Sequence, residues 1–311
     1  MLTTIFTVIP IFCVIGAGYG VGRFDLLGAG ASSTLNRYVV YLALPALLFE
    51  VMAKTKLVAL WQPGFIAAFG IGAFGVFAAT LAGRVWSGRP VADAAIDGLN
   101  AGYANAGFVG LPLCEAIFGR ASLPFATIAT VLTVCVLFGV ALIIVESGLQ
   151  SEARPHQVAF KVIGNLARNP LLIAPVFGLA WSAAGLTLGG PLETFVRLLA
   201  GSTTPCALVA LGLFLAIRRD VPGAKAPPIA FTALKLVGQP ALTGLAAIAL
   251  GLPHALMAIA VVIAALPTGT GPFMVAEYYG REAVVTSKTI LMTTALSAVT
   301  VTILICFLHI G

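Results

Sequence analysis

Charge is what this chain has least of. Asp, Glu, Lys and Arg together make up 9% of its 311 residues, against 60% hydrophobic residues and a mean hydropathy of +1.07. Roughly a quarter of a soluble domain is charged, so a water-facing fold is excluded and a polytopic membrane protein is implied. Cysteine is sparse as well: Cys13, Cys114, Cys135, Cys206 and Cys306 stand apart in apolar runs without a CxxC pair. That makes them packing residues and excludes a disulfide framework. His156, His254 and His309 have no metal-ligand spacing. HExxH, GxSxG and an intramembrane pair of aspartates are missing, which leaves an intramembrane enzyme without machinery. GxxxxGK[ST] is missing too, so the chain does not power itself with ATP. The net charge of +6 is spread through short loops, not gathered in a run, and gives no reason to expect a nucleic-acid partner. No cofactor or metal is expected.

What stands in place of charge is apolar length. Stretches long enough to cross a hydrocarbon core fall at 2–22, 36–54, 63–85, 94–118, 123–146, 169–186, 195–217, 228–250, 254–279 and 285–308, ten spans in an all-α chain. No basic region precedes the first, and no cleavage-type sequence follows it, so it reads as a retained helix. After the fifth span, QVAFKVIGNLAR sets Val158, Val162 and Leu166 on one face and Lys161, Asn165 and Arg168 on another, the pattern of a short interfacial helix. Basic residues set the orientation. One set of alternate loops carries Arg23, Arg37, Arg84, Arg89, Arg154, Lys161, Arg168, Arg218, Arg219, Lys225, Arg281 and Lys288; the other carries only Lys54, Lys56, Arg120 and Arg197. The richer set is expected in the cytoplasm, with both termini outside.

A shift of 160 residues superimposes Pro10 on Pro170, Gly18 on Gly178, Arg37 on Arg197, Pro45 on Pro205 and Pro112 on Pro272, without a gap. Alanine and leucine matches arise by chance in such a composition, but scarce residues at one offset indicate an internal repeat. Residues 1–150 form the first repeat, 151–168 a cytoplasmic linker and 169–311 the second. Five spans in each half is an odd number, so the second half enters the membrane inverted. Inverted repeats are a transporter architecture, with substrate bound near the midplane between the halves.

Two matching spans are built to break. NAGFVGLPL, Asn105 to Leu113, interrupts the fourth, and ALPTGTGPFMVAEYYG, Ala265 to Gly280, the ninth. Proline removes a backbone donor and glycine weakens a helix; the freed backbone groups must be buried in protein or line a wet cavity. The breaks are therefore read as leaving helix ends for a ligand. Candidate binding residues are Asn105, Gly107, Gly110, Pro112, Pro267, Thr268, Gly269, Thr270, Gly271 and Pro272. Neither break contains Lys or Arg, so an anion would be held by helix starts and neutral polar groups. The Asn105 amide, donor and acceptor together, could hold the crossing backbone and a ligand carboxylate at once.

Other polar residues carry two readings each. Glu50 and Lys54, four apart, neutralise one another near the headgroups, or Glu50 serves the site. Lys235, two turns into the eighth span, snorkels to the interface, or pairs a substrate carboxylate or Glu50. Glu115 and Glu277 follow the breaks and would hold a coupling proton or sodium ion, or reach water at helix ends. Asn100 faces a cavity or bonds between helices.

The two broken stretches resemble the crossover motifs of the auxin efflux carrier family. Asn105, Gly110 and Pro112 match its Asn-x4-Gly-x-Pro pattern, and Leu266-Pro267, Gly269 and Pro272-Phe273 match its second crossover. The resemblance extends over the whole chain and implies a carrier of small organic anions, such as malonate-like, malate-like or auxin-like acids, working by alternating access. It further implies a scaffold of spans 1, 2, 6 and 7 that dimerises, and an elevator-like transport domain of spans 3–5 and 8–10. A bacterial inner membrane with periplasmic termini, and coupling to H+ or Na+, follow from the same likeness. Where plant members carry an acid and a lysine early in the third span, Phe69 and Ala73 stand here, which argues against auxin itself. The long central loop of many plant members is reduced to about residues 147–168. A sodium-coupled carrier like the bile-acid symporters, which share the crossed helices, is the alternative, with a channel or sensor behind it.

Overall fold

Backbone amides and carbonyls cannot stand bare in lipid, and a helix satisfies its own. The computed structural model describes residues 2–28, 30–54, 61–149, 168–216 and 228–308, and these are helical nearly throughout, with one isolated β-bridge. The helices are α1 (Leu2–Arg23), α2 (Ala31–Lys54), α3 (Pro63–Trp86), α4 (Val91–Gly102), α5 (Leu111–Phe118), α6 (Leu123–Leu149), α7 (Pro170–Ala183), α8 (Gly190–Ala216), α9 (Pro228–Ala249), α10 (His254–Ala264), α11 (Gly271–Tyr278) and α12 (Ala283–Phe307). Six of them, α2, α3, α6, α8, α9 and α12, are each long and apolar enough to cross a membrane; α7 and α10 are shorter apolar helices. The expected interfacial helix lies outside the described residues up to Arg168, as do Lys56, Arg154, Lys161 and the basic segment 218–225.

Proline sets many of the starts. Pro63, Pro112, Pro170 and Pro272 stand in the first turns of α3, α5, α7 and α11, where a missing N–H costs nothing. Asn169 caps α7 by accepting from the Leu171 amide at 3.0 Å. Three long helices widen locally to π geometry, α2 at Val39–Ala43, α6 at Val131–Leu137 and α9 at Leu234–Gly238, a distortion that clusters at functional sites. Helices α5 and α11 are both eight residues long and lie 160 positions apart, as do the starts of α6 and α12.

The helices pack in two sets. Helix α1 lies on α8, and α2 on α7 and α8; α3 lies on α4 and α9, α4 on α6, and α9 on α10 and α12. Glycine lets backbones touch in the first set. A Cβ at Gly18 would stand 2.5 Å from the Val209 carbonyl, and one at Gly178 equally close to that of Phe49. Lipid offers no hydrophobic push between helices, so such close van der Waals contact carries the association. In the second set, ion pairs tie the turn after α11 to the start of α4. Arg281 donates to both carboxylate oxygens of Asp93 at 2.7 and 2.6 Å, and Arg89, just before α4, to Glu282 at 2.6 Å; Arg84 of α3 donates to Asp97 of α4 at 2.9 Å. The forked pairing with Asp93 raises Arg281 above its ordinary pKa and keeps it charged.

Candidate functional site

The two interruptions lie across one another. Helix α4 stops at Gly102, the backbone runs through Tyr103 to Asn105, and a π turn over Ala106–Gly110 leads into α5. On the other side, residues 265–270 separate α10 from α11. The Asn105 amide donates to the Pro267 carbonyl at 2.9 Å and the Gly269 amide to the Tyr103 carbonyl at 3.2 Å, closing an antiparallel bridge between Ala104 and Thr268. Part of the freed backbone is thus paired with the other break. This pairing also divides the roles of Asn105. The crossing backbone is held by its main-chain amide, while its side-chain amide makes no hydrogen bond among the described residues and faces the cavity described next.

Polar side chains buttress the crossing from behind. The Thr268 hydroxyl donates to the Asn100 carbonyl at 2.8 Å, the Thr268 amide donates to the Thr293 hydroxyl at 3.1 Å, and the Asn100 amide donates to Thr286 at 3.1 Å. Gly269 is required by contact: a Cβ there would come within 2.8 Å of the Tyr103 ring.

In front of the crossing lies a cavity of about 90 Å³, room for several waters. Its crossover wall is Tyr103, Asn105, Gly107, Gly269, Thr270 and Gly271. Leu44, Leu47 and Val51 of α2, Thr130 and Val134 of α6, and Thr203 of α8 close it. Both packing sets therefore contribute. Among the described residues its lining has no Asp, Glu, Lys or Arg. Thr130 is engaged with the Ala126 carbonyl at 2.8 Å, whereas the buried Thr203 hydroxyl has no partner among the described residues. At the rim, α11 begins without a side-chain cap, so its first-turn amides and positive dipole end are turned to the crossover. Neutral donors and one helix start suit a small anion, each helix end being worth about 1 kcal/mol when partly buried.

The structure gathers five expected residues, Asn105, Gly107, Gly269, Thr270 and Gly271, around this cavity. The rest stand elsewhere. Pro267 supplies its carbonyl to the crossing, Thr268 is turned away from the cavity, and Gly110 sits against Leu266. Pro112 and Pro272 start their helices; the side chain of Pro112 lies outside the described residues. Glu50 is paired with Lys54 at 2.7 Å, and Lys54 also meets Glu193 at 3.0 Å. Glu115 is exposed on α5, and Glu277 borders a separate open cavity of about 580 Å³ with Arg37, Tyr41 and Glu146. Lys235 overturns the snorkelling expectation: it is fully buried and donates to the Ala264 carbonyl at 2.7 Å, because the end of α10 brings an acceptor within its reach. Sequence reasoning missed Tyr103, Thr130 and Thr203. Tyr103 adjoins the break in the chain and was open to discovery; the two threonines are ordinary helix residues with no signal of their own.

Long apolar helices around a pair of broken, mutually paired ones define a multi-pass membrane protein with a largely apolar cavity at its crossover, into which a few neutral polar residues are set. The family model described as "Membrane transport protein" matches residues 3–305. The chain is 33% identical to the "Putative malonate transporter" of Rhizobium meliloti over 98% of this chain and 95% of that one. It is 25% identical to "Probable auxin efflux carrier component 5c" of Oryza sativa subsp. japonica, over 93% and 92% of the two chains. A third relative, "Auxin efflux carrier component 3a" of the same plant, is 30% identical over 40% of this chain and 21% of its own length. The chain belongs to the auxin efflux carrier family of membrane transport proteins, a family of transporters and not of enzymes.

Proposed function

We propose that the chain is a secondary transporter of small organic anions, carboxylates of about the size of malonate, working by alternating access in a bacterial inner membrane. The observation that carries this reading is the cavity at the paired breaks: uncharged, lined by Asn105 and the Gly269–Gly271 start of α11, and closed on its far side by α2 and α8. A site walled by both packing sets can be opened to either side when one set slides on the other. The two sets support a scaffold of spans 1, 2, 6 and 7 (α1, α2, α7 and α8) and a moving domain of the remaining helices. The shared 160-residue register of α5 with α11 and of α6 with α12 supports ten spans in two inverted repeats. The relative whose name specifies malonate supports that size of acid. On this reading the termini face the periplasm and the scaffold pairs two copies into a homodimer.

Counterflow tests the proposal. Proteoliposomes preloaded with unlabelled malonate should take up labelled malonate transiently and saturably. Flux that is linear in concentration and indifferent to preloading would mark a channel and end the carrier reading.

A further inference from the structure

A lysine without an acid sits inside the packed helices. Lys235 lies in the π turn of α9, is fully buried and, among the described residues, makes one hydrogen bond, from Nζ to the carbonyl of Ala264, the last residue of α10. Among the described residues no Asp or Glu comes within ion-pair distance of it. The charged groups on the elements packed around α9 are otherwise occupied or turned away. Asp93 and Asp97 of α4 are held by Arg281, Arg84 and Arg89, and Glu282 by Arg89. Arg84 is the one charged residue of α3, Lys288 of α12 is exposed, and His254 is exposed at the far start of α10. What favours an ammonium here is the negative carbonyl end of α10, set against the cost of burying a charge with no opposite charge beside it. A second observation marks the same region. Four residues on, Gln239 is fully buried with neither side-chain amide atom partnered among the described residues, and Asn100 Oδ1 on α4, which packs against this turn, is likewise unpartnered among them.

We infer that Lys235 is the proton-binding group that couples anion transport to proton movement, its ammonium held at the carbonyl end of α10. The inference rests on the transport reading above and names its coupling. A proton from water adds to the Nζ lone pair and leaves by the same route; no other bond changes. The six crossover residues 265–270 separate this cation from the start of α11, where the anion is held. Opposite charges on the two ends of one short segment favour each other, so anion binding promotes protonation and protonation promotes anion binding by the same factor. Proton and anion travel together, and sodium has no part.

The test uses the full-length protein in proteoliposomes with labelled malonate. Wild type should accumulate malonate several-fold under an imposed inward proton gradient and ignore a sodium gradient. Lys235→Gln should still exchange malonate for malonate, at a rate nearly flat with pH, but lose accumulation. Exchange without accumulation separates failed coupling from failed transport, since loss of exchange by wild type would sink the transport reading instead. Accumulation by Lys235→Gln equal to wild type, or wild-type accumulation driven by sodium, overturns the inference. Should the variant fail to fold, calorimetric titration of purified wild type with malonate in two buffers of unequal ionisation heat decides. Uptake of a proton per anion above malonate's own titration range supports the assignment, and no uptake refutes it.

Discussion

Asn105 contributes two separable groups to the crossover, and one substitution distinguishes them. Its main-chain amide binds Pro267, a bond that alanine keeps; its side-chain amide makes no hydrogen bond among the described residues, and the residue lines the cavity. Asn105→Ala should therefore leave the melting temperature of the purified protein nearly unchanged while weakening malonate binding about 10- to 100-fold, the worth of a hydrogen bond to a charged group. A large drop in melting temperature with intact affinity would reverse the assignment. Gly269→Ala should lower the melting temperature, costing about 1–3 kcal/mol in stability by overpacking, because its Cβ would meet the ring of Tyr103, which also packs against Phe138. Glu50→Gln should cost at most about 1 kcal/mol, as exposed pairs do, and leave transport intact, since Lys54 keeps Glu193. At this scale Asn105 was legible because an amide beside glycine and proline is conspicuous in an apolar run. Thr203 was not, being one threonine among many, and Lys235 was misread because distance from a helix end says nothing of which carbonyl a neighbouring element places within reach.

Among the elements, the breaks were written in the sequence and their pairing was not. Proline and glycine state where a helix cannot continue, but the partner of the exposed backbone is chosen by the way α4 and α10 cross, a tertiary fact. The π turns of α2 and α6 were invisible for the same reason, since VVYLA and VLTVCVL contain neither proline nor glycine. Ion pairs show the same dependence: Arg281 and Asp93 are 188 residues apart, and their forked contact ties the two broken spans at one end. Asp93→Asn keeps the shape and removes the charge, and should destabilise the protein by about 1–3 kcal/mol, read as a lower unfolding temperature in detergent. An unchanged temperature would mean that the fork does not hold the halves together.

At the scale of the molecule, the transport account needs an orientation and a ligand of one sign. Loop charge predicts Gly88 inside and Lys56 outside, so single cysteines at these positions should be labelled from opposite sides of the membrane by an impermeant reagent; labelling from the same side would unseat the span count. The central claim is narrower: a small carboxylate sits at the crossover, held by neutral donors and a helix start. Thr203 borders that cavity from α8 with its hydroxyl unpartnered among the described residues, and cysteine replaces threonine with little change of shape. In protein whose native cysteines are replaced, the alkylation rate of Thr203→Cys should fall several-fold in malonate and stay unchanged in 1,3-diaminopropane, a dication of the same length. Protection by the diamine equal to that by malonate, or protection by neither, would contradict an anion site at the paired breaks.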